Sequence, residues 1–171
     1  MRHLILTGLV AAFVLESPTT QAARPYEIES ALTIAKSTNK NQVHYAVQVD
    51  DACAPAGAAP VHPYWRMLEK SPDATEPLER SEERAFGIER QEVVDRDDVR
   101  IALRALPARA ITIRTGRAND GTCSAIARMS INGVNARVAS VFVKMKLFGV
   151  DYVQLTGVAD DGSVVKERLS I

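Results

Sequence analysis

From Ala31 to the C-terminal end, apolar residues recur at every second position in short runs, and each run ends in turn-forming residues. Period two puts alternate side chains on opposite faces of an extended chain, so each run reads as a strand with one buried face. Leu32 and Ile34 alternate with Thr33 and Ala35. After the polar stretch 37–41, Val43, Tyr45, Val47 and Val49 alternate with His44, Ala46 and Gln48, the second arm of a hairpin. A loop over 50–60 precedes an extended run at 61–68 centred on Trp65. Further runs fall at 88–94, 99–105, 110–115, 122–131, 134–147, 150–158 and 163–169, with Asn132-Gly133 as the strongest hairpin signal. Connections this short join antiparallel neighbours, which predicts an all-β fold, a meander of about ten strands. An open meander of that size leaves edges exposed, so the sheet is expected to close into a barrel, with a sandwich as the other way to bury them.

Within 134–147 the apolar parity changes, from Val134, Ala136 and Val138 to Val141, Val143 and Met145. A strand that keeps one face buried across such a change needs a bulge or bend near 138–140. The one convincing helix of the domain spans 77–86. Pro77 suits its first turn, Leu78, Ala85 and Phe86 form one apolar stripe, and Gly87 suits its stop.

Ahead of the strands, Met1, Arg2 and His3 lead into an apolar run from Leu4 to Leu15. As a helix it would be roughly 18 Å long, short of the roughly 30 Å of a bilayer's hydrocarbon. It reads as a secretory leader with cleavage after Ala22, leaving a single domain at 23–171, periplasmic or secreted, with no transmembrane anchor. Export bears on Cys53 and Cys123, the only cysteines: an oxidising compartment favours a disulfide between them. Neither has the paired spacing of a zinc site, and His44 and His62 supply only two further ligands, so no metal and no cofactor is expected.

The chain balances 21 basic against 21 acidic residues, which argues against a general nucleic-acid binder. The charge is nonetheless segregated. Residues 67–99 carry 11 acids and 5 bases, whereas 100–144 carry 8 bases, seven of them Arg, and 1 acid. Arg captures carboxylate or phosphate in bidentate fashion, so Arg100, Arg104 and Arg114 are candidates for an anion-binding face; mutual neutralisation of the two blocks is the plainer reading. Tyr64, Trp65 and Arg66 are candidates for a ligand pocket, with Trp65 otherwise a core residue. With Glu69, Glu76, Glu79, Glu82 and Glu83 they raise the thought of a glycan site, although helix Glu beside Arg80 and Arg84 suits a solvated face. Cys123-Ser124 with Arg128-Met129 is similar to the cysteine segment of cell-wall L,D-transpeptidases, but the His-Gly stretch and the preceding Gly are absent.

The order Lys36-Ser37-Thr38-Asn39-Lys40-Asn41, Val43-His44-Tyr45, Pro60-Val61-His62-Pro63-Tyr64-Trp65 and Phe86-Gly87 resembles an exported bacterial family of domains of unknown function. In that family a basic-Ser-x-Asn-x-Asn turn precedes a strand and a Tyr-Trp strand follows. The resemblance implies a domain and no reaction. Together these readings predict a non-catalytic β-barrel module that binds a small ligand or an anionic envelope component. The alternative is an envelope hydrolase or transferase acting on glycan or peptide bonds.

Overall fold

The computed structural model describes residues 26–147 and 149–170; the expected leader at 1–22 lies outside them. The described chain is mainly β, with strands β1 (Tyr26–Lys36), β2 (Gln42–Val49), β3 (Val61–Arg66) and β4 (Thr75–Pro77), helix α1 (Arg80–Phe86), then β5 (Ile88–Asp95), β6 (Asp98–Leu103), β7 (Leu106–Arg117), β8 (Cys123–Ile131), β9 (Val134–Lys146), β10 (Gly149–Ala159) and β11 (Val164–Ser170). All ten expected strands are present and the three-residue β4 is added. Asn132 and Gly133 both adopt positive φ between β8 and β9, as a tight hairpin requires.

The bulge foreseen in β9 falls at Ala139: Thr156 of β10 pairs with Ser140, and Gly157 with Val138. Ala136 and Val138 face inward before it, Val141 and Val143 after it. The same point changes β9's partner on its other edge. Residues 134–137 pair antiparallel with β8, whereas Val141–Val143 pair in parallel with Ile34–Lys36 of β1. One edge of β9 thus carries two wings in succession, β1-β2-β3-β4 and β8-β7-β6-β5, while β10 and β11 extend its opposite edge. Buried residues of both wings, from Val43, Tyr45 and Trp65 to Ile101, Ile113 and Met129, form one core cluster.

Three expectations are corrected. The fold is not a pure antiparallel meander, because β1 and β9 pair in parallel. Nor does it close into a barrel: the strand order ends at β4 and β5, and no backbone ladder joins them among the described residues. A side chain bridges the wings instead. The Gln91 carboxamide accepts from Val61 N (3.0 Å) and donates to Val61 O (3.1 Å), occupying the peptide groups that a closing strand would use. Finally, Pro77 ends β4 and α1 begins at Arg80. Glu79 precedes it in extended conformation, and Glu82 Oε2 accepts from Glu79 N at 2.9 Å, a capping interaction that sets the helix start three residues beyond Pro77.

The Cys53–Cys123 disulfide is formed, with Cα atoms 5.4 Å apart. It ties the loop after β2 to the start of β8, and so one wing to the other.

Candidate functional site

The residues of the turn after β1 each meet a backbone need. Ser37 N donates to Val143 O (3.1 Å) and Ser37 Oγ accepts from Met145 N (3.1 Å), securing the end of β1 to β9. Asn39 Oδ1 accepts from Asn41 N (3.2 Å), and the buried Asn41 uses its own Oδ1 to accept from Glu69 N (3.0 Å). Short side chains with an oxygen two or three bonds from the backbone are suited to this. A turn held in this way leaves Lys36 directed across the core edge, where its ammonium stands 4.3 Å from the centroid of the Trp65 ring.

Trp65 is buried in turn by the helix. Its ring meets Phe86 edge to face at 5.5 Å between centroids, and its Nε1 donates to Glu82 Oε2 at 2.7 Å. Phe86 O accepts from the Tyr45 hydroxyl at 2.5 Å, and burial pushes that hydroxyl's pKa well up. A side chain at Gly87 would run into Glu83 O of the last helical turn. Lys36, Trp65, Phe86 and Gly87, distant in sequence, thereby meet at one place.

Of these, Lys36 and Phe86 line a cleft of about 690 Å³ between α1 and the β9–β10 end of the sheet. Phe86, Ala85, Ala105, Met145 and Val150 supply apolar surface, while Lys36, Arg84 and Lys146 supply positive charge. A smaller groove of about 330 Å³ continues past Lys36 and Glu82 over Trp65 and Met67. Among the described residues no carboxylate lies within ion-pair distance of Lys36, Arg84 or Lys146. The cleft's one carboxylate, Glu82, already accepts from Trp65 and from Glu79 N.

The candidate residues named from sequence divide among three places. Trp65 lies on the core face of β3 and borders the groove that adjoins the cleft. Tyr64 and Arg66, of opposite parity, lie on the other face, in a groove of about 390 Å³ shared with Glu27, Glu29 and His62. There Tyr64 donates to Glu29 O (2.8 Å), Arg66 approaches Glu29 at 3.9 Å and His62 approaches Glu27 at 3.5 Å. His44 and His62 flank Tyr64 on paired strands, at 5.7 and 6.5 Å between rings. Burial first, and then the Arg66 guanidinium, lower the pKa of His44. Arg100, Arg104 and Arg114 are spread along β6, Arg114 opposite Asp98 at its start and Arg104 just beyond its end, and two of them hold acids from the preceding acidic block. Arg114 grips Asp98 through two bonds of 2.8 and 2.6 Å, and Arg104 stands 3.6 Å from Glu83 and 3.8 Å from Glu89. Arg100 lies exposed on β6 opposite Thr112.

Sequence reading passed over Lys146, Met145 and Val150 as cleft residues. Their only local signal is membership of a hairpin, and what brings them to Lys36 is the non-local pairing of β1 with β9.

Comparison with curated proteins and with solved structures finds no match. A family description does match, over residues 32–168, and it takes in the Lys36 turn, the Tyr-Trp strand and Phe86-Gly87. The chain therefore belongs to the family described as Domain of unknown function (DUF4833).

Proposed function

We propose that this chain is an exported, non-catalytic binding module, periplasmic or secreted, whose ligand occupies the cleft between α1 and the β9–β10 end of the sheet. The observation that carries the reading is the convergence of Lys36, Phe86, Lys146 and Val150 on that cleft, with Trp65 packed against both Lys36 and Phe86. The cleft's volume is in the range of small-molecule sites, and its mixture of apolar surface with a few polar groups is what such sites present. Glu82 has a structural role in the cleft wall, its Oε2 holding both Trp65 and the helix start. Export is supported by the leader-like start of the sequence and by a disulfide, which persists in oxidising compartments. The partner is a small ligand or an anionic component of the envelope.

Native mass spectrometry of the protein isolated from its own envelope fraction tests this. The expected result is a mass above that of the polypeptide which disappears on denaturation, and which is lost when Val150→Trp fills the cleft. A bare polypeptide mass, or an adduct that survives Val150→Trp in the folded variant, would overturn the reading.

A further inference from the structure

We infer that the cleft takes a single-chain anionic amphiphile, a carboxylate head on an apolar tail; this rests on the binding reading above and names its ligand class. The first argument is charge. Lys36, Arg84 and Lys146 border one cleft with a single carboxylate, Glu82, whose Oε2 accepts two N–H groups. Other cations of the fold are held by acids, Arg104 by Glu83 and Glu89, Arg109 by Glu167, Arg114 by Asp98 and Arg128 by Asp160; further ones unpaired among the described residues, such as Arg96 and Arg100, lie exposed outside the cleft. Three cations against one carboxylate leave the cavity, among the described residues, with a net positive charge, which draws and holds an anion.

The second argument is shape. Phe86, Met145 and Val150 line the same cleft, so a bare anion would leave that apolar surface in water, whereas an apolar tail covers it at roughly 25 cal/mol per Å². A cleft of about 690 Å³ suits a ligand of drug size rather than a phospholipid with two acyl chains. The third is position. Lys36 is held by the Trp65 face at 4.3 Å and by the Ser37 anchor to β9, so its ammonium is in place before a ligand arrives.

The chain has one tryptophan, and it lies against Lys36, so its fluorescence reports on the cleft. Titrations would use decanoate, decanol, acetate and vesicles of phosphatidylglycerol, followed by Trp65 emission and by calorimetry. Decanoate is expected to bind at least tenfold more tightly than decanol, acetate not to bind measurably, and vesicles not to retain the protein. Lys36→Gln and Lys146→Gln should each weaken decanoate by about tenfold and leave decanol unchanged. Lys146 is exposed, so its variant keeps the test open if Lys36→Gln disturbs folding, which a melting curve would report. Equal binding of decanol and decanoate would overturn the anionic class while leaving a binding cleft. Retention on vesicles without binding of free decanoate would overturn the single-chain ligand in favour of a membrane surface. Failure of decanoate to bind overturns the inference; the native mass experiment then says separately whether the binding reading survives.

Discussion

Opening the Cys53–Cys123 bridge is expected to lower stability substantially and to leave the cleft unchanged. The bridge spans 70 residues of sequence. In the chain-entropy model a loop of that length, if left uncrosslinked, gives the unfolded state roughly 4 kcal/mol of additional freedom. For a domain of this size each kcal/mol moves the melting temperature by about 2–4 °C, so a loss on the order of 10 °C follows. Cys53 is fully buried, and truncating it would add a packing loss, so two perturbations are needed. One is the Cys53→Ala/Cys123→Ala variant and the other is the unaltered chain, reduced and refolded under reductant. Calorimetric or circular-dichroism melts should show both falling well below the oxidised protein, with a larger urea m-value as the uncrosslinked unfolded chain exposes more surface. The bridge lies near the Val49 end of β2 and the Asn39 turn lies at the Gln42 end, about 25 Å away at the rise of a strand. Ligand binding below the melting range should therefore be unaffected. Reduced and variant proteins that melt within about 2 °C of the oxidised one would refute the argument.

Gly157→Ala should cost about 1–3 kcal/mol, because a Cβ there would stand 2.7 Å from Ile131 Cδ1 and 2.9 Å from both Ala136 Cβ and Arg137 O. Adding Ile131→Val removes the first clash and should recover part of the loss in a double-mutant cycle; simple additivity would refute the packing account. Acidification from neutral pH should destabilise the fold. The pKa of Glu167 is held low by the backbone N–H of Asn132 and by the Arg109 fork, and that of Asp98 by Arg114. Their folded pKa values lie below the unfolded ones, so their stabilisation is complete above the ordinary carboxylate range and is lost as pH falls through it. The lowered pKa of His44 acts in the same direction below about 6.5. Melting temperatures across this range should fall, and Glu167→Gln should melt lower at neutral pH and flatten the acid limb; a variant with the full acid slope would refute Glu167's part in it.

Much of the secondary structure was legible from alternation alone. Period two is written into each strand locally, because a side chain on the wrong face is exposed to water or buried without a partner. For the same reason the parity change at 138–140 located the bulge at Ala139, and Asn132-Gly133 located its hairpin. The disulfide was accessible from the count of cysteines and the expectation of export. Only β4 escaped, being three residues long and ended by a proline that reads equally well as a helix start. The candidate site was legible in part: Lys36, Trp65 and Phe86 stood out as motif residues, without any indication that they touch.

What the tertiary structure alone decided follows from contacts with no local signature. Turn lengths speak only of consecutive strands, so nothing in the sequence marks the parallel pairing of β1 with β9, more than a hundred residues apart. That pairing divides the sheet into two wings, and the Gln91 side chain then joins them where a barrel would have placed a backbone ladder. It also sets Lys146, Met145 and Val150 beside Lys36 and completes the cleft. On most strands the inward-facing residues are readable locally, since facing depends on neighbours two positions away; β5, whose Val93 and Val94 stay exposed, is the exception. Which strand lies beside which, and hence which charges gather around one cavity, depends on burial summed over the whole core, and only the folded chain resolves it.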